Sequence, residues 1–75
     1  DTVSENQSRL LRAIAKENRV KAVNSSDFIK KYNLKATSSV NTALRHLIDK
    51  DYVGKTKEGY AVNDHFMRIW LRTLP

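Results

Sequence analysis

Leu10, Leu11, Ile14 and Ala15 recur at the spacing of one helical face, with Arg9, Arg12, Lys16 and Glu17 between them. This pattern predicts an amphipathic first helix over roughly Glu5 to Asn18, with Thr2 or Ser4 as its cap. The next apolar run, Val20–Val23, is too short for a helix and rich in Val, so it reads as a short strand. In NSSDFIKKYNL, Asn24 can cap a second helix, with Asp27 three residues on as in a capping box. Phe28, Ile29 and Tyr32 make its apolar face. Asn33 is a left-handed stop, and Leu34 folds back onto the core.

The strongest helical pattern lies in TSSVNTALRHLIDKD. Thr37 is the expected cap, and Val40, Leu44, Leu47 and Ile48 fall on one face. The opposite face offers Ser38, Ser39, Asn41, Thr42, Arg45, His46 and Asp49. Two helices joined by a short turn near Asn33–Ala36 form a helix-turn-helix. Tyr52-Val53 and Tyr60-Ala61-Val62 then flank a polar stretch with Gly54, Lys57, Glu58 and Gly59, which predicts a β-hairpin. Tyr60 and Val62 alternate onto one of its faces. Asp64 can cap a final helix over His65–Leu74. Its apolar residues form two rows, Phe66, Ile69 and Trp70 beside Met67, Leu71 and Leu74; His65, Arg68 and Arg72 share the narrow remainder. So wide an apolar arc exceeds what a surface helix needs. One row can pack on the core, and some of Met67, Leu71 and Leu74 are expected to stay exposed for a partner.

Length and composition narrow the classes. Seventy-five residues make one domain with a small core. There is no Cys to supply a disulfide or a thiolate metal site, which suits a reducing cytoplasm. No apolar run approaches the ~18 residues of a membrane span. The net charge of +6 invites a nucleic-acid partner, yet it is spread along the chain. In residues 37–51, Arg45 and Lys50 are offset by Asp49 and Asp51.

The order of elements resembles the winged-helix variant of the helix-turn-helix, over about Gln7 to Val62. The ending is more specific. Tyr60-x-Val62-x-Asp64-x-x-Met67-x-x-Trp70-Leu71 resembles the end of the winged-helix domain that follows the ATPase module in predicted prokaryotic ATPases of the AAA/STAND type, archaeal-type ATPases among them. His65 stands where that pattern frequently has Pro. The resemblance implies an α+β, mostly helical winged helix-turn-helix: a three-helix core, a short strand plus a β-hairpin wing, and an extra C-terminal helix. It implies that residues 1–75 are a single domain excerpted from a longer ATPase. ATP and Mg then belong to the missing module, and Met67, Leu71 and Leu74 are the candidates for contact with it. Cytoplasmic location is expected from the absence of Cys.

No catalytic or metal site is expected within the chain. GKTKEGYA has Gly54 and Gly59 at the Walker spacing, but Tyr60 and Ala61 replace its Lys and Ser/Thr, and a hairpin is expected there. His46 and His65 lack the partners and spacing of metal ligands. For DNA, the helix-turn-helix geometry nominates Ser38, Ser39, Asn41, Thr42, Arg45 and His46 for base edges. Arg45 suits guanine and Asn41 suits adenine. Lys30, Lys31, Lys35, Lys55 and Lys57 are the candidate phosphate contacts. The same elements also fit the DNA-binding domain of a transcription regulator, or a protein-docking winged helix that binds no nucleic acid.

Overall fold

The computed structural model describes residues 4–74. Its elements run α1 (Glu5–Glu17), α2 (Ser26–Lys31), α3 (Thr37–Asp49), β1 (Val53–Thr56), β2 (Gly59–Val62) and α4 (His65–Thr73). The expected mostly helical α+β architecture is present. α1 is central, packing on α3, α4 and β2. Leu10 and Ile14 of α1, Leu47 of α3 and Val53 of β1 are the largest side chains wholly out of water. Each such burial is worth about 1.5–3 kcal/mol.

The helix starts are set by short polar side chains. Ser4 accepts a hydrogen bond from the Gln7 amide at 3.2 Å and so caps α1. Thr2, the alternative cap, lies outside the described residues. α2 starts one residue later than the capping-box reading places it. Ser25, not Asn24, is its cap, and its hydroxyl accepts from the Phe28 amide at 3.2 Å. Asp27 consequently sits in the first turn with no reciprocal capping role. α3 differs again: Ala36 occupies the cap position, and no side chain bonds the first amides. Thr37, the expected cap, is already helical.

α2 and α3 stop by one device. Asn33 (φ 54°) and Asp51 (φ 66°) adopt the left-handed conformation. The Leu34 amide then donates to the Ile29 carbonyl at 2.9 Å, and the Tyr52 amide to Leu47 at 3.0 Å. These are Schellman closures, and both Leu34 and Tyr52 turn back onto the core.

The inward face of α3 comprises Val40, Ala43, Leu44 and Leu47. Ile48 had been expected there; it is 40% exposed instead. Ala43 takes the inward position, its small side chain suiting the close packing of α3 on α1.

The hairpin pairs Val53 with Val62 and Thr56 with Gly59, leaving a two-residue turn at 57–58. Thr56 Oγ1 donates to the Gly59 carbonyl at 2.8 Å and accepts from the Glu58 amide at 3.2 Å. Gly59 is required by its φ of 123° and by a close approach. A Cβ there would lie 2.4 Å from the Val20 carbonyl oxygen. That approach produces the bridge in which Val20 and Tyr60 exchange backbone hydrogen bonds of 3.0 and 2.7 Å. The strand expected over Val20–Val23 shrinks to this single residue, because the chain turns away at once.

Asn63 pins the wing to the end of α3. Its side-chain amide donates to the Asp51 carbonyl at 2.9 Å, and its backbone amide donates to Tyr52 at 2.9 Å. Gly54 leaves room for it, since a Cβ there would meet Asn63 Oδ1 at 2.5 Å. Asp64 then caps α4 as expected, one carboxylate oxygen accepting from the Phe66 and Met67 amides at 2.8 and 3.0 Å.

Candidate interaction surfaces

The solvent side of α3 carries small polar groups and one free cation. Ser38, Thr42, Arg45 and Asp49 follow one another along the outward line, and all are exposed. Asn41 is exposed on one flank. Ser39, half-buried, and His46 lie on the other flank, toward α1. There Gln7 Nε2 meets His46 Nδ1 at 3.0 Å, while Gln7 Oε1 accepts from Lys50 at 3.5 Å. Gln7 is the one buried polar residue among the described residues, and this pairing satisfies it. A shallow polar groove of about 270 Å³ runs beside it, between Ser4, Asn6 and Gln7 and the Ser38, Ser39 and Thr42 side of α3.

The six residues nominated for base edges therefore do not share one direction. Ser38, Thr42 and Arg45 point outward together, whereas His46 is tied back to α1. Arg45 makes no hydrogen bond or ion pair among the described residues.

The five candidate phosphate-binding lysines also divide. Lys30, Lys35, Lys55 and Lys57 are exposed. Lys31 is held by Glu17 at 2.7 Å and lies over the Tyr32 ring at 5.5 Å. The Tyr32 hydroxyl donates to the same carboxylate oxygen. The Lys31 hydrogen bond, then that of Tyr32, holds the Glu17 carboxyl below the usual carboxylate range. Partnership with Glu17 raises Lys31, while burial and then Glu17 push Tyr32 up. Lys31 thus fastens α2 to α1. On the wing, Lys55 sits 5.7 Å from the Tyr60 ring. Elsewhere Arg9 pairs with Glu5 at 2.6 Å and Arg19 with Glu58 at 3.8 Å.

α4 is where the structure departs most from expectation. Met67, Leu71 and Leu74 were the candidates for an outside partner, but they form the inward row. Leu71 is 5% exposed, and Met67 and Leu74 are half-buried against the core. The row left in water is Phe66, Ile69 and Trp70, at 81, 48 and 60% exposure. The two rows are equally apolar, so composition alone could not say which one faces in. The core settles it: only the Met67–Leu71–Leu74 side closes over α1 and β2. Arg68 and Arg72 border the exposed row on one side, and Arg68 reaches His65 Nδ1 at 2.8 Å.

A helix-turn-helix followed by a two-stranded wing and a closing helix is now in place, and the sequence comparison agrees with it. The family described as a probable winged helix domain matches residues 1–73. The chain belongs to that family. No curated protein and no solved structure matches it. Winged-helix domains commonly bind DNA or proteins. Among its described residues, no helix is long and apolar enough to cross a membrane.

Sequence reasoning missed Gln7 and the Asn63 clamp. A Gln among the apolar positions of an amphipathic helix, with a His-bearing helix to follow, was the available signal for the first. For the second it was Gly54 inside the first strand of the hairpin, since a glycine there marks a close backbone approach.

Proposed function

We propose that this winged-helix domain is a non-catalytic module of a larger AAA/STAND-type P-loop ATPase, and that α4 docks it onto the ATPase module. The exposed Phe66–Ile69–Trp70 row carries this reading. Large aromatic side chains held in water on a capped, well-packed helix mark an interaction site rather than a folding requirement. The resemblance of the Tyr60–Leu71 segment to the end of such ATPase-associated domains points to the same arrangement. Nucleotide and Mg chemistry then reside in the other module, with residues 1–75 as one regulatory domain.

The test is made in the parent polypeptide. Phe66→Ser with Trp70→Ser should expose the junction between the modules to protease and alter ATP turnover, while leaving nucleotide binding in place. A parent reading frame that encodes no P-loop overturns the proposal.

A second reading, contact with duplex DNA, is favoured by the free Arg45 on the outward line of α3. The uncapped first turn of α3 supports it, because backbone amides and a positive helix end suit a phosphate. Lys30, Lys35, Lys55 and Lys57 add exposed cations. Four phosphate contacts give a slope of about −3.6 for log affinity against log salt. Fluorescence anisotropy with a short duplex measures that slope. Arg45→Ala should weaken binding unequally across sequences if Arg45 reads a base. No salt-dependent binding would leave docking as the sole role.

A further inference from the structure

We infer that the partner of α4 is an acid-bordered amphipathic helix, laid along the Phe66–Ile69–Trp70 row with its carboxylates against Arg68 and Arg72. This rests on the docking reading and adds the chemistry of the surface that is docked. Three features of α4 define the partner. The first is size. The helix is nine residues long, or about 14 Å, so the row matches roughly one short helix. Taking 150–250 Å² for a fully exposed aromatic, the row offers roughly 400 Å². That is half of the ~800 Å² each side contributes to a standard stable interface. It suits a tethered element better than a free-standing symmetric dimer.

The second feature is charge. Neither arginine has a carboxylate partner among the described residues. The two acids of α1, the helix packed against α4, are already engaged: Glu5 by Arg9 and Glu17 by Lys31. The only acid at α4 itself, Asp64, is occupied in capping. A second copy of the chain, itself of net charge +6, would set a like-charged surface against this border rather than carboxylates. A partner presenting Glu or Asp there is complementary.

The third feature is the shape of the borders. Within α4, helical spacing puts Arg68 and Arg72 on one side of the row, and on the other the apolar surface continues through Trp70 to the half-buried Met67 and Leu74. A helix lying in a lipid interface carries its cations on the polar face around the whole apolar stripe. The one-sided arrangement instead sets a direction and a register for a second helix, with Arg68 and Arg72 one turn apart.

Two synthetic peptides test this. Both carry one Leu stripe at helical spacing, and their flanking positions are Glu in one and Lys in the other. Trp70, the only tryptophan, reports binding in the 75-residue chain. The Glu peptide should shift Trp70 emission to shorter wavelength and bind about five- to tenfold more tightly than the Lys peptide. High salt should erase that difference. Arg68→Glu with Arg72→Glu should invert the order, with the circular dichroism spectrum unchanged. Equal binding of the two peptides, or of neither, overturns the inference. So does a Trp70 shift produced instead by phosphatidylserine vesicles, or self-association seen by sedimentation. Oxidative footprinting of the parent separates the two ideas. Phe66 protected there without peptide selectivity removes only the acidic partner, whereas Phe66 unprotected removes docking as well.

Discussion

α3 and α4 each turn a face to solvent, and the two faces are built in opposite ways. Along α3 the outward line is Ser38, Thr42, Arg45 and Asp49, small or charged groups that water solvates well. Along α4 it is Phe66, Ile69 and Trp70. At about 25 cal/mol per Å², leaving that row of roughly 400 Å² in water forgoes about 10 kcal/mol of burial. Folding does not require it: the Asp64 cap and the inward row, with Leu71 buried, already hold the helix in place. A face that is neutral to solvent can serve DNA transiently and return to water at no penalty. The docking proposed for α4 would cover the face that is costly in solvent.

The largest expected effects check which way α3 faces. Leu47→Ala should destabilise the domain by about 2–5 kcal/mol in chemical unfolding. Its neighbour Ile48→Ala should change stability by less than ~0.5 kcal/mol. If the two cost the same, the outward line of α3 is misassigned and the contrast between the faces disappears.

The starts of the two helices come next. Asp64→Ala should cost about 1 kcal/mol, since it strips the cap from α4. Ala36→Asp on α3 should do the reverse and stabilise by about 1 kcal/mol. If α3 meets phosphates through its first turn, the same substitution should weaken duplex binding. An Ala36→Asp domain that binds DNA unchanged would remove that end of α3 from the interface.

Phe66→Ser with Trp70→Ser should shift the unfolding free energy of the isolated chain by less than ~0.5 kcal/mol. A larger loss would mean the row supports its own fold after all. The smallest effect is in acid. Glu17 has a lowered carboxyl pKa in the folded state, so its contribution is present above the ordinary carboxylate value and is lost as pH falls through the lowered one. Glu17→Gln should flatten that part of the stability profile and release Lys31 from α1. If Lys31 contributes to DNA contact once freed, the variant binds duplex more steeply with salt.

Much of this fold was legible because local rules agreed with the global result. The period of Leu10, Leu11 and Ile14, the Asn33 stop and the Asp64 cap each have one physical solution, and the structure adopts it. The misreadings occur where two residues offered equivalent chemistry. Asn24 and Ser25 are both good caps, and the geometry of Phe28 entering the core selects Ser25. Ile48 and Ala43 are both apolar neighbours of the α3 stripe, and only the spacing of α1 from α3 chooses between them. The rows of α4 are the same case on a larger scale. Sequence revealed a surplus of apolar surface, but assigning its direction required the position of α1 and β2. The outward side of α3 was legible as polar; that His46 is drawn back to Gln7 was not, because the two lie 39 residues apart.

The docking proposed for α4 requires Phe66 and Trp70 to be covered in the working protein. Hydroxyl-radical footprinting read by mass spectrometry tests it residue by residue, in the isolated chain and in the parent polypeptide, with His46 as a reference on the α3 side. Phe66 and Trp70 should be strongly oxidised in the isolated chain and markedly protected in the parent, with His46 oxidised alike in both. Equal oxidation of Phe66 and Trp70 in the two would contradict it.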